Sequence, residues 1–173
     1  MHVARSLPLP ALLATLGGCV AASTAPSSIA APAPVFDPIA FFAGTTHGTG
    51  RLHVILHRTR STDVVGIGTV AGQDAIVLRQ RVSIDGEKPT DRAWRLRRTG
   101  PEAYTGTLTD ATGPVAATVE GNALTIRFPM KHGLAITQHL YLQPGGAVAL
   151  NTMVVRKWGV VVARLDERIE KRQ

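Results

Sequence analysis

The chain of 173 residues contains one cysteine, Cys19. A lone cysteine excludes an intrachain disulfide and a cysteine-rich metal site. Lysine is scarce: Lys88, Lys131, Lys157 and Lys171 are the only ones, so arginine carries most of an excess of 19 basic over 12 acidic residues. The planar guanidinium fork suits phosphate or carboxylate partners. A GC-rich genome enriches arginine in the same way, and both readings stand. No run reaches the ~18 uninterrupted apolar residues of a membrane-spanning helix. There is no G-x-S-x-G, and Ser61 and Ser83 lack a nucleophile context. Gly66-Ile67-Gly68 is followed by no helix, so it is not a phosphate loop. Most acidic residues lie at turns, where they are more often turn-formers than acid–base catalysts. His53 and His57 share a strand face but stand about 13 Å apart at ~3.3 Å per residue, too far to share one ion. The sequence therefore offers no catalytic residue, no metal site and no cofactor, and it leans away from an enzyme.

What is present begins at the N-terminus. Arg5 is basic, Leu7 to Leu16 is apolar, and Leu16-Gly17-Gly18-Cys19 follows. The apolar run is too short to span a bilayer as a helix and fits the core of a signal peptide. Leu three before the Cys, then two small residues, resembles a bacterial lipobox. The resemblance implies a diacylglycerol thioether on Cys19, cleavage before it and acylation of the new amine, which consumes the only thiol. Two or more acyl chains hold a protein stably on a membrane. Val20 rather than Asp after the Cys implies release to the outer membrane. Residues 20–35 are rich in Ala, Ser, Thr and Pro and carry no charge. Extended, such a tether reaches about 50 Å at ~3.1 Å per residue. The expected organisation is a signal peptide over 1–18, a lipidated Cys with its tether over 19–35, and one domain over 36–173.

Asp37-Pro38 opens a short helical turn, with Asp as N-cap and Pro at the first position. From there the chain reads as strands separated by Gly, Pro, Asn and Asp. The runs are approximately 49–58, 63–70, 75–84, 92–99, 103–109, 114–120, 123–129, 135–142, 147–156 and 160–166. Leu52, Val54 and Leu56 share one face, as do Trp94 and Leu96. Gly121-Asn122 is a two-residue hairpin loop that sets Val119 opposite Leu124 and Ala117 opposite Ile126. About ten short strands in meander order predict an all-β, antiparallel, up-and-down barrel, because closure removes the edges. A two-sheet sandwich is the runner-up. The charged tail from Asp166 to Gln173 is expected to be solvated, with at most one helical turn.

The chain resembles a family of bacterial lipoproteins of unassigned function, domain of unknown function 3833. The matching pieces include Phe41-Phe42 with Gly44, Gly48-Thr49-Gly50, Asp85-Gly86-Glu87 and Arg92-Ala93-Trp94 with Leu96. They continue through Tyr104-Thr105-Gly106, Gly121-Asn122-Ala123-Leu124, Tyr141-Leu142, Asn151 and Lys157-Trp158-Gly159. The resemblance runs from about Phe41 to Leu165 and implies a lipocalin-like barrel, without adding an activity. The family carries acidic residues where Thr137 and Gln138 stand, and Arg where Thr152 stands. A register placing Gln138 opposite Thr152 would replace an ionic pair by a neutral one.

Two sets of residues are candidate sites. Arg92, Trp94, Arg98, Gln138 and Tyr141 are candidates to bind a ligand, with Arg92 and Arg98 at opposite ends of one strand face. Arg79, Arg81, Arg95 and Arg97 fall on the opposite face as an anion or membrane-surface patch. If Ile84 pairs with Arg92, then Arg81 faces Arg95 and Arg79 faces Arg97, a like-charge strain that a bound anion would relieve. The leading reading is an envelope lipoprotein, on the periplasmic face of the outer membrane, that binds or shuttles a fatty acid or phospholipid. The second is an accessory lipoprotein with a solid barrel that contacts an envelope protein, and the third is an envelope enzyme on lipids. An exported compartment disfavours nucleic acid. Ala117, Ala123, Ala135 and Ala149 leave hollow and solid barrels open.

Replacing Cys19 by Ser should abolish the membrane association that survives a carbonate wash and leave an unprocessed or soluble product. Fractionation followed by a carbonate wash checks this. A Cys19→Ser chain that stays in the membrane fraction with a leader of normal mobility contradicts lipidation.

Overall fold

The computed structural model describes residues 34–172. The leader, Cys19 and the tether up to residue 33 lie outside the described residues. One short helix, α1 (Pro38–Phe42), precedes ten strands: β1 (Gly44–Val54), β2 (Arg60–Val70), β3 (Ala75–Ile84), β4 (Thr90–Arg98) and β5 (Ala103–Leu108), then β6 (Val115–Glu120), β7 (Ala123–Met130), β8 (Leu134–Leu142), β9 (Val148–Lys157) and β10 (Val160–Arg172). Each strand pairs antiparallel with its sequence neighbour, and β10 pairs with β1 to close the barrel. Alternation along the strands divides them into a buried inner face and an exposed outer one, as β6 shows in its strict buried–exposed pattern.

The expected up-and-down barrel is therefore the fold, and the Gly121-Asn122 hairpin pairs Val119 with Leu124 and Ala117 with Ile126 as its spacing requires. Three local expectations are corrected. The tail is strand rather than solvated chain: β10 runs to Arg172 and pairs with β1 from Thr45↔Arg172 to Val54↔Ala163. Its charged residues Arg164, Asp166, Arg168 and Arg172 take the exposed face while Leu165 and Ile169 turn inward. Leu56 does not share the face of Leu52 and Val54. It lies in the β1–β2 turn at φ 63 and is 97% exposed. The β3–β4 register sets Arg81 opposite Asp91 and Arg79 opposite Ala93. Arg95 and Arg97 face Val77 and Ala75, so the inferred arginine–arginine strain is absent.

One end of the barrel is plugged. Phe36, Ile39, Phe41 and Phe42 are all buried, and Phe41 stacks edge-on against Phe42 with centroids 4.9 Å apart. The plug fits because β2 carries Gly68 beneath it: a Cβ there would sit 1.8 Å from the Phe42 carbonyl oxygen. The N–H of Phe36 donates to the Gly121 carbonyl at 2.9 Å, tying the plug to the β6–β7 turn. Asp37 holds it twice. Its Oδ1 accepts from the N–H groups of Ile39 and Ala40, at 2.9 and 3.1 Å. Its Oδ2 accepts from Arg98 Nη2 at 3.0 Å.

Asp37→Ala should therefore destabilise the protein by about 1–2 kcal/mol, mostly through loss of the N-cap. Asp37→Asn should keep most of that stability, because the half-buried, solvent-accessible ion pair it forfeits is worth less than the cap. Urea midpoints compare the two. Equal losses in both variants would assign the stability to the ion pair rather than the cap.

Candidate functional site

The barrel is hollow. Inside it, about 130 Å³ is open to the centres of water-sized molecules, far more than the ~10–15 Å³ that one water requires. The space runs from Phe42 at the plug to Leu52, Ile84 and Leu165 near the other end. Those last three side chains are only half-buried, so the lumen opens at the end opposite α1. The hollow arises from an uneven distribution of side-chain size. Trp94 and Phe128 pack edge-to-face at 5.3 Å on one side. On the other, the inward positions of β1 and β2 hold Thr46, Gly48, Gly50, Thr62, Gly66 and Gly68. Of the four alanines that left the question open, Ala117 and Ala149 are fully buried. Ala135 lies exposed on the outer face and Ala123 shares that parity.

A small set of polar groups interrupts the apolar lining: Thr62, Gln80, Arg92, Gln138, Asn151 and Glu167. Register accounts for their grouping. Gln80 pairs with Arg92 across β3–β4, and Glu167 pairs with Asn151 across β9–β10. Gln80 Oε1 accepts from Arg92 Nε at 2.9 Å and from Trp94 Nε1 at 2.8 Å. This fixes the guanidinium beside the indole, 5.7 Å from its ring centroid. Among the described residues the Arg92 Nη groups have no hydrogen-bond partner and Arg92 forms no ion pair within 4.0 Å. Glu167 accepts from Asn151 Nδ2 at 2.9 Å. Asn151 Oδ1 and Thr62 Oγ1 are buried without a partner among the described residues.

The charges act on each other at a distance. Burial lowers the Arg92 pKa from its ordinary value, while Glu167 and Asp110 work in the opposite direction. Burial raises the Glu167 pKa, opposed by its Asn151 hydrogen bond and by Arg92. Desolvation thus exceeds pairing for both groups. An anion entering the lumen would meet two unengaged guanidinium nitrogens. Burial favours the neutral form of Glu167, whose O–H would add a donor.

The sequence candidates separate in this geometry. Arg92, Trp94 and Gln138 line the lumen. Tyr141 falls on the outer parity of β8, opposite Ala123 and Leu150. Arg98 lies at the plugged end, bonded to Asp37, 3.5 Å from Asp74 Oδ1 and stacked 4.8 Å from the Tyr104 ring. It closes the barrel rather than serving the cavity. Gln138 stands opposite Met153, not Thr152, and its Nε2 lies 3.6 Å from the Met153 sulfur. Arg79, Arg81, Arg95 and Arg97 are exposed on the outer face, and Arg81 contacts Asp91 at 3.3 Å. Thr62, Gln80 and Glu167 were not singled out from the sequence. A polar residue at an inward position of an alternating strand is the signal that reveals them.

These features define a lipocalin-like class of protein: a closed antiparallel barrel, plugged at one end, with a polar cluster inside an otherwise apolar lumen. Within that class the chain belongs to the family described as protein of unknown function DUF3833, matched over residues 13–171. No curated protein matches its sequence. Solved structures of the same fold include the S-type phycobiliprotein lyase CPES from Guillardia theta. It has a TM-score of 0.62 and 9% identity, covering 78% of this chain and 90% of that one. Rv2717c from M. tuberculosis gives a TM-score of 0.61 at 14% identity, covering 80% and 99%. A DUF3598-family protein of unknown function from Nostoc punctiforme gives 0.58 at 13%, covering 80% of this chain and half of that one. At such identities the likeness establishes the fold alone.

The buried carboxyl makes a prediction about pH. A folded-state pKa raised above the ordinary 4.5 contributes stability that is fully present below about pH 4.5 and lost as pH rises through the folded value. Glu167→Gln keeps an oxygen to accept from Asn151 and removes the titration. Relative to wild type, the variant should gain stability as pH rises above 4.5, and the gain should level off beyond the folded pKa. Urea midpoints from pH 4 to 8 measure this. A difference that does not vary with pH would show that folding leaves the Glu167 pKa at its ordinary value.

Proposed function

We infer that the protein is an envelope lipoprotein, anchored through Cys19 on the periplasmic face of the outer membrane. In this reading its barrel binds a small amphipathic acid, a fatty acid or a phospholipid. One observation carries the reading: a guanidinium fixed by Gln80 Oε1, with both Nη groups unengaged among the described residues, inside a hollow whose remaining walls are mostly apolar. Ligand pockets have this composition, apolar walls with a few convergent polar groups. The ligand's head would accept from Arg92, with Gln138 within the same lining. Its tail would extend past Leu78, Leu124 and Leu140 toward Phe42. The open end admits it and the plugged end stops it.

The anion-relief argument for the outer arginines does not extend to this reading, because Arg81 already has Asp91 opposite it. Mass spectrometry of lipids co-purifying with the protein identifies the ligand. Binding of a fluorescent fatty acid locates it. Arg92→Ala should weaken affinity roughly tenfold or more, as loss of a charge-assisted hydrogen bond of about 1.5–3 kcal/mol implies. Arg98→Ala should leave affinity nearly unchanged while lowering stability. A folded wild-type protein that binds no fatty acid or phospholipid at micromolar concentration would favour an accessory lipoprotein acting through protein contacts.

A further inference from the structure

The open end carries a second feature, on its outside. The β1–β2 turn and the β9–β10 turn are neighbours there. The β1–β10 pairing runs to Val54↔Ala163, and the N–H of Ile55 donates to the Val162 carbonyl at 3.0 Å. Together the two turns expose Ile55 (57%), Leu56 (97%), Trp158 (85%) and Val160 (62%). The turn Lys131–Gly133 adjoins them: a Cβ on Gly133 would lie 3.6 Å from Trp158 Nε1. The other large exposed apolar residues lie away from the mouth, Val65 and Ile67 side by side on the outer face of β2, so among the described residues this group is the one at the rim.

Local conformation argues that the rim side chains are not there for the fold. Trp158-Gly159 is a two-residue hairpin loop with φ 50 and φ 84. Two positive φ values define the turn type that favours Asn-Gly or Asp-Gly. A bulky residue at positive φ is an outlier, and such strain is characteristically held at functional sites. Leu56, at φ 63, repeats the pattern in the adjacent turn. Both strained residues aim a large apolar side chain into water.

Charge identifies what covers them. The three turns on this side, 55–59, 131–133 and 158–159, contain no acidic residue but hold Arg58 and Lys131. Arg156 and Lys157 adjoin them, with Lys157 Nζ 4.9 Å from the Trp158 ring. Among the described residues none of these four cations forms a salt bridge. The acids of the open end, Asp85, Glu87 and Asp110, lie in the two remaining turns, which flank the rim; Asp85 Oδ2 accepts from the Ser61 N–H at 3.2 Å and Glu87 is bonded to Arg60. Indole at a headgroup boundary, aliphatic tips beyond it and basic residues around it is the arrangement that binds an anionic lipid interface.

We propose that the rim formed by Ile55, Leu56, Trp158 and Val160 docks on an anionic lipid surface, so that the open end of the barrel faces the bilayer. The proposal does not depend on what the lumen holds, nor on acylation of Cys19.

The test uses the full chain carrying Cys19→Ser, so that no acyl chain contributes. It is mixed with vesicles of phosphatidylglycerol and brominated phosphatidylcholine. The chain has two tryptophans. Trp94 is buried against Phe128, and a Trp158→Asn chain supplies its background directly. Trp158 emission should be quenched by the brominated lipid and protected from aqueous iodide. Vesicles without phosphatidylglycerol, or high salt, should reduce the effect several-fold. Leu56→Asn should weaken partition about tenfold, as the loss of one buried leucine side chain implies. Both Asn variants should unfold at or above the parent's temperature, because Asn tolerates positive φ. Co-sedimentation with Trp158 still open to iodide would place the contact elsewhere on the chain and overturn the proposal. So would the absence of binding, or a marked loss of stability in Trp158→Asn.

Discussion

The seam between β1 and β10 is the constraint on which the rest of the structure depends. Nine of the ten strand contacts join sequence neighbours across turns; this one joins the two ends of the barrel's chain. Its ten residue pairs convert two edge strands, each with a row of unpaired backbone groups, into interior strands. The same seam generates the lumen chemistry. Glu167 points inward from β10, and β1 accommodates it only by having no side chain opposite. A Cβ on Gly48 would lie 2.4 Å from Glu167 Oε1. A Cβ on Gly50 would lie 2.6 Å from the Asp166 carbonyl oxygen and 2.9 Å from Thr62 Oγ1. Closing the barrel and burying a carboxyl are one packing solution.

Plug and mouth follow from that closure. A ten-stranded barrel is wider than one whose side chains just fill its interior, so its ends must be managed separately. At one end four aromatic and aliphatic side chains of residues 36–42 fill the bore. At the other end nothing comparable enters, and Leu52, Ile84 and Leu165 stay half-exposed. The arginines of β4 show how strongly this polarity decides chemistry. Arg92 and Arg98 lie on one face of one strand, six residues apart. Arg98 meets Asp37, Asp74 and Tyr104 at the plug and is spent on structure. Arg92 meets a glutamine oxygen that engages only its Nε. Parity makes the two equivalent, and their neighbours make them different.

The sequence discloses the fold through its local rules. Period-two alternation and the Gly121-Asn122 loop are properties of adjacent residues, so ten strands and their meander order could be read directly. Register across longer turns is set by packing of distant residues. The β3–β4 pairing therefore differs from the expected one by enough to replace Arg95 with Asp91 opposite Arg81. Arg92 and Trp94 were legible as inward because they share the parity of Leu96. Glu167 was hidden by its context. Residues 166–172 look like a solvated charged tail until β1 is seen to pair with them, whereupon alternation assigns Asp166 and Arg168 outward and Glu167 inward. Tyr141 had the right chemistry on the wrong parity, one position from the lumen-facing Leu140.

The barrel's two-residue loops allow a comparison of local preference with use. Gly121-Asn122 sits at the plugged end with Gly at the position of positive φ, and its carbonyl receives the plug's Phe36 N–H. There, turn chemistry and packing agree. Trp158-Gly159 sits at the open end and places the largest side chain where the turn favours the smallest or most polar. Burial does not compensate for this: Trp158 is 85% exposed, with Lys157 Nζ 4.9 Å from its ring. A chain consistent across its levels departs from a local rule mainly where another requirement overrides stability. Here the two apolar departures, Leu56 and Trp158, lie on adjacent turns at the mouth, and both expose apolar surface beside cations that form no salt bridge among the described residues. Coincidence of strain, exposure and charge on the one side of the barrel that opens points to a requirement set by what lies outside the mouth.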